Sequence, residues 1–302
     1  MKFVRGGLQM TTIRDCIAPD RNPKVPSVKL PEGSIDTHVH IFESQYPLFE
    51  GRGYNPPDST LDDLKHLHSQ LGVSRVVYTQ PSPYGVDNSA ILKGMKVMND
   101  ETPGRARGVC AIKMDVSDDF LEDLDKQGIK GVRLNMDNIG GMPIGLDEIP
   151  TLEARIKDLG WHVEYLFPGK DIVELAPIFK KSSVPISIAH FAYQPATNGI
   201  NSEGFKTLLD LVSDGNTWIK ISGANRVSET DLPPYDDVMP MARALIDANS
   251  DNIMWGTDWP HPNKYEVNPN DGDLVDAFGE WVSDNNMRQK IMVTNPEKFY
   301  SF

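Results

Sequence analysis

Along the chain, short apolar runs rich in β-branched residues alternate with stretches whose apolar positions recur every three or four residues. Strand side chains switch faces with period two, whereas a helix brings i, i+3, i+4 and i+7 onto one side. Eight segments read as strands: IDTHVH (35–40), RVVYTQ (75–80), RGVCAI (107–112), GVRLN (131–135), HVEYLF (162–167), PISIAH (185–190), TWIKIS (217–222) and NIMWGTD (252–258). Between them lie helix patterns. In STLDDLKHLHSQLG, Leu61, Leu64, Leu67 and Leu71 share one side, with Ser59 or Thr60 able to cap the start and Gly72 able to end the helix. DNSAILKGMKVMND, DDFLEDLDKQG, GFKTLLDLVSDG and DLVDAFGEWVSDN read the same way, and 147–159 and 171–180 carry weaker signals. Apolar runs without strict alternation suit strands buried on both faces of a parallel sheet. Eight strands joined by helical crossovers predict an α/β fold, a single TIM-type (β/α)8 barrel, over residues 34–302. Residues 1–33, rich in Pro and charge, break the rhythm and predict an irregular N-terminal arm, lying on the surface or reaching a neighbouring subunit in a homo-oligomer.

In such a barrel, chemistry collects at the C-terminal ends of the strands. His38 and His40 end the first predicted strand, Ser82 follows the second, and Arg133 sits late in the fourth. His190 ends the sixth, Arg226 follows the seventh, and Asp258 closes the eighth. Residues i and i+2 of a strand point the same way, so His38 and His40 aim two imidazoles at one place. Two hydrogen-bonded structural histidines would be the plainer account. Adding His190 and Asp258 makes a set of three imidazoles and a carboxylate, which suits a single divalent ion such as Zn²⁺ with an open position for water. Bound water of that kind is a hydroxide source near neutral pH. Asp258 would then be a ligand, a general base, or both. In the metal-free version, Asp258 activates the water and the histidines serve as oxyanion donors.

Other positions carry weaker expectations. His66 and His68 fall in the first helix pattern, where a solvated or packing role is expected, and His261 is expected on a loop at the site mouth. His162 opens the fifth strand and should lie at the barrel bottom. Glu164, a charge within an apolar strand, is expected beneath the site in a structural role, although metal bridging is the alternative. Arg133, between Val132 and Leu134, should point inward, where its fork suits a carboxylate or sulfonate. Tyr54 and Ser82 could add neutral hydrogen bonds.

Composition narrows the partners. The formal net charge of −13 argues against nucleic acid, whose phosphates need a basic footprint, but leaves room for a small anion held by local arginines. Hydrophobic residues make up 39% and mean hydropathy is −0.39, and no apolar run reaches the roughly 20 residues that span a bilayer. The start has no apolar signal-peptide core, and Cys16 and Cys110 are the only cysteines, so a cytoplasmic protein without disulfides is expected.

IDTHVH, His190 and Asp258 resemble the amidohydrolase superfamily, and GVDN (85–88), GWHV (160–163), WGTDWPHPN and VTNPEKFY (293–300) resemble, in order, its subgroup of 2-pyrone-4,6-dicarboxylate hydrolase and related lactone hydrolases. The resemblance covers residues 34–302 and implies a hydrolase that opens a lactone or pyrone ester in aromatic-compound degradation. It implies that Asp258 handles the proton, that His38, His40 and His190 surround the carbonyl or a metal, and that Tyr54, Ser82, Arg133 and Arg226 touch substrate. Ile139, Tyr193 and Leu166 depart from the subgroup, which carries Arg, Arg and Tyr there. Two fewer arginines imply an anionic lactone of muconolactone or sulfomuconolactone type, or a pyrone carboxylate, rather than the pyrone dicarboxylate itself. A metal-dependent decarboxylase or a lactone isomerase on the same fold is the alternative, since fold does not settle chemistry.

Overall fold

The computed structural model describes residues 13–137 and 143–302. Eight strands form one parallel sheet: β1 (Ile35–Val39), β2 (Arg75–Thr79), β3 (Ala106–Cys110), β4 (Ile129–Asn135), β5 (His162–Leu166), β6 (Ile186–Ile188), β7 (Thr217–Lys220) and β8 (Ile253–Met254). They pair in chain order, each neighbour parallel to the next. The two ends of the sheet meet through His40 N to Trp259 O (2.8 Å) and Asp258 N to His38 O (2.9 Å), which bring β1 and the segment after β8 together. A helix follows each strand: α1 (Leu61–Leu71), α2 (Ser89–Glu101), α3 (Asp118–Lys126), α4 (Ile149–Ile156), α5 (Ile172–Phe179), α6 (Glu203–Ser213), α7 (Met239–Asn249) and α8 (Asp271–Trp281). The predicted barrel is therefore the observed one.

Local signals explain the boundaries. Thr60 caps α1 through a reciprocal bond pair with Asp63, and Gly72 ends it at φ 78°. Leu64, Leu67 and Leu71 are buried on the sheet side of α1, as their spacing predicts. The strands are buried almost throughout, which is why their sequences run apolar without alternation.

The barrel interior is layered. Ile35, Val77, Val109, Trp218 and Met254 pack with Tyr300 into an apolar floor. Phe299 and Tyr300, from the helix Asn295–Tyr300, pack tilted and edge-on against His162 and close the bottom. Polar side chains fill the upper layer. The chain before β1 crosses this upper end: Arg14–Asp15 pairs with Tyr54–Asn55, and the Ile17 amide donates to the Lys264 carbonyl (3.1 Å).

Every strand but the fourth ends one to four residues earlier than its pattern suggests. The sixth stops at Ile188, two residues before His190. The eighth stops at Met254, and the chain after it joins β1 through separate backbone bonds and the Asp36 side chain rather than a continuous ladder. The Thr257 amide and hydroxyl both donate to Asp36, at 2.9 and 2.6 Å. Gly256 allows that approach, since a Cβ there would lie 2.7 Å from the His38 amide nitrogen.

Candidate active site

At the upper end of the barrel, four predicted residues converge. His38 lies in β1 and His40 follows it, their rings edge-to-face with centroids 4.9 Å apart. His190 enters from beyond β6 on four consecutive residues, His190 to Tyr193, with φ of 50–55°. Asp258 also has a left-handed backbone, φ 65°. Left-handed conformations cost non-glycine residues free energy and persist where the surroundings hold them. Here Gly223 makes room below, because a Cβ on it would sit 2.7 Å from His190 Nδ1. The imidazole is tethered through Nδ1 to the Ser222 hydroxyl at 2.9 Å.

Asp258 Oδ1 faces all three rings, at 3.4 Å from His190 Nε2, 3.7 Å from His40 Nε2 and 3.8 Å from His38 Nε2. Its other oxygen accepts from Arg226 Nε at 2.6 Å. Among the described residues, Asp258 Oδ1 and His38 Nε2 are buried without a hydrogen-bond partner. Burial works to raise the Asp258 pKa, but Arg226, then His190 and His40, outweigh it and hold the carboxyl well below its ordinary range. Burial lowers all three histidines, His190 to about 3, so they are neutral imidazoles at neutral pH.

Hydrogen-bond partners fix two of the tautomers. His40 Nδ1 lies 2.7 Å from the Thr79 carbonyl, which only accepts, so Nδ1 carries the proton and Nε2 offers a lone pair. His38 is the reverse. Its Nδ1 is 3.3 Å from the Lys220 ammonium, which also donates to the Thr37 carbonyl (2.8 Å) and to Glu164. Three donors meet three acceptors, and His38 accepts at Nδ1 and carries its proton on Nε2, towards Asp258. Burial works to raise Glu164, but Lys220 and Arg133 outweigh it and keep it ionised.

His38, His40 and Asp258 each place a ligand atom within 4.8 Å of the others, and the orphaned atoms lie in that space. These are three of the four residues predicted to hold a metal; His190 is not in the group. In protonation the group does not fit a dication: the His38 nitrogen that faces inward bears a hydrogen, and its lone pair faces an ammonium. The one carboxylate is already neutralised by Arg226. A Zn²⁺ ligand must offer a lone pair.

Tyr54, Ser82, Arg133 and Arg226 line the same pocket, together with Asn135 and Asn263. Leu166 and Tyr193 line it too, while residue 139 lies outside the described residues. Arg133 points inward as predicted, with Nη1 donating to the Gln80 carbonyl at 2.9 Å and Nε 3.7 Å from Glu164. Glu164 sits beneath the site, paired to Lys220. His162 is at the bottom, and His261 is turned away, 3.1 Å from Asp271. His68 corrects its solvated alternative: it is buried, with Nε2 3.3 Å from Asp36. Lys220 is the residue that pattern reading missed. Its signal was a lysine with isoleucines on both sides in TWIKIS.

Relatives share most of this chain. It is 34% identical over 289 residues to a 2-pyrone-4,6-dicarboxylate hydrolase of Comamonas testosteroni, covering 92% of this chain and 93% of the relative. It is 33% identical over 290 residues to a 4-sulfomuconolactone hydrolase of Hydrogenophaga intermedia, covering 94% of each. A D-galactarolactone isomerase of Agrobacterium fabrum is 28% identical over 281 residues, covering 91% of this chain and 93% of the relative. The family model described as amidohydrolase matches residues 35–302, from the first residue of β1 to the last of the chain, and the chain belongs to that family.

Proposed function

We propose that this protein is a hydrolase that opens the ester of an anionic lactone, of the muconolactone, sulfomuconolactone or pyrone carboxylate kind met in aromatic-compound degradation. The observation that carries the reading is the meeting of Asp258 Oδ1 with three neutral imidazoles at the mouth end of the barrel. A water among these atoms donates to Asp258 Oδ1 and to the His40 Nε2 lone pair, and accepts from His38 Nε2–H. Its remaining lone pair is then directed at the lactone carbonyl. As the C–O bond to water forms, the proton passes to Asp258. The developing oxyanion is met by N–H donors of the pocket, and collapse of the tetrahedral intermediate breaks the ring ester bond. Asp258 returns the proton to the departing oxygen. Arg133, beside Tyr54 and Ser82, holds the substrate anion, and Arg226 keeps Asp258 ionised and aimed.

The low pKa of Asp258 makes it a weak base, yet one in the correct protonation state across the working range. The isomerase relative supports a second reading, in which the displaced ring oxygen gives way to another hydroxyl of the same substrate. A pH-stat assay over lactones and pyrones separates the two. Hydrolysis releases one acid per turnover, while isomerisation consumes lactone without net acid. Metal content and chelation belong in the same experiment. Full acid release from metal-stripped protein is the expected result; activity that vanishes on chelation and returns with Zn²⁺ overturns the Asp258-only mechanism.

A further inference from the structure

The lactone reading leaves open how many charges the substrate brings, and the pocket itself answers by charge balance. Three charged side chains line it: Arg133, Arg226 and Asp258. Arg226 and Asp258 cancel each other at 2.6 Å. Directly beneath, Lys220 and Glu164, both without solvent exposure, cancel in the same way. The three histidines are buried, with His40 Nδ1 donating to the Thr79 carbonyl and His38 Nδ1 accepting from the Lys220 ammonium. Arg133 is left. One of its nitrogens donates to a backbone carbonyl, and the carboxylate recorded near it, Glu164, is 3.7 Å away and committed to Lys220. Among the described residues, the pocket therefore carries one surplus positive charge.

The rest of the lining is uncharged. The Tyr54 hydroxyl interacts with Ser82 near Arg133, forming a polar end. Leu166, Tyr193 and Asn263 also line the pocket, with Tyr193 stacked on His190 at 5.8 Å and an interplanar angle of 17°. An anion buried without a compensating cation is strongly disfavoured.

We propose that the pocket is built for a lactone bearing a single carboxylate, held by Arg133 with Tyr54 and Ser82, and an uncharged remainder against Leu166, Tyr193 and Asn263. This rests on the lactonase reading and separates the chain from relatives named for a dicarboxylate and for a sulfonated lactone. Tyr193 is then a specificity-determining residue, because a cation in its place would supply the second charge.

The test compares kcat/KM for muconolactone and 2-pyrone-6-carboxylate with that for 2-pyrone-4,6-dicarboxylate and 4-sulfomuconolactone. The singly charged pair is expected to be favoured by about tenfold or more, and Tyr193→Arg to move the ratio by a similar factor towards the doubly charged pair. A wild-type preference for the doubly charged lactones, or a ratio unmoved in folded Tyr193→Arg, overturns the proposal while leaving the hydrolase reading intact. Calorimetric binding of benzoate against isophthalate gives the charge balance without chemistry. Tighter benzoate binding with no lactone opened sinks the hydrolase reading and keeps the single-charge pocket. Isophthalate binding equally or more tightly, or neither ring binding, removes the single-charge pocket whatever the reaction.

Discussion

Both ends of the barrel bury histidines, and they use them in opposite ways. At the bottom, His162 lies in an aromatic box, 4.4 Å from the Phe299 ring and 5.3 Å from Tyr300. At the top, His38 has an orphaned nitrogen, and Asp258, Lys220 and Glu164 stand within 4.0 Å of its ring nitrogens. Burial lowers the pKa at both ends, so a perturbed histidine alone does not mark a site. What separates them is charge aimed at the ring and backbone held in costly conformations. The bottom has a ring used as filler; the top has a ring with its proton placed.

The contrast is broken most severely at Asp258. Asp258→Asn keeps the shape, removes the proton acceptor and is expected to lower kcat/KM by about 10²–10⁴-fold with an unchanged circular dichroism spectrum. Wild-type turnover in that variant ends the base assignment. Next comes Lys220→Met, which strands Glu164 as a buried unpaired charge and should cost ~3–5 kcal/mol in denaturant unfolding. The double change Lys220→Met with Glu164→Leu should regain most of that stability but not the activity, because His38 no longer has its proton fixed on Nε2. Recovery of both would make the pair purely structural.

Acid sharpens the comparison further. His162 and His190 titrate near 3 in the folded chain against 6.5 when unfolded, so the unfolded state binds the extra protons between those values. Their contribution is complete above about pH 6.5 and lost as pH falls towards about 3, at up to about 1.4 kcal/mol per unit for each histidine. Asp258 stays ionised through that window. Melting temperature should therefore fall from pH 7 to 5 while the rate per folded molecule stays level. A rate that falls as pH drops below 6.5 towards about 3 would assign the base to a histidine. The smallest effect belongs to the bottom: His162→Phe should change stability by about 1 kcal/mol or less and leave the rate within about twofold.

The barrel was legible because strands buried on both faces write themselves as apolar runs at regular spacing, and helices such as α1 add caps at both ends. The histidines and Asp258 were legible as polar interruptions at the ends of those runs. Lys220 was not, because one lysine among isoleucines looks like a solvent-facing position until Glu164, from 56 residues earlier, is placed beside it. His68 hid for the same reason: its partner Asp36 lies 32 residues away in the strand that α1 follows. The left-handed run at His190 contains no glycine to announce it. Pairings across the fold and backbone hand are tertiary facts, and local periodicity does not encode them.

The hydrogen bonds that join the sheet's two ends have a further consequence. Asp258 donates its amide to His38, and His40 donates its amide to Trp259, so the groups proposed for chemistry sit on the zipper that shuts the cylinder. A breathing motion that parts these two edges dismantles the reactive centre in the same stroke. No partly open barrel can keep its catalyst assembled, so protection of these two amides against solvent exchange and retention of the working site are one quantity.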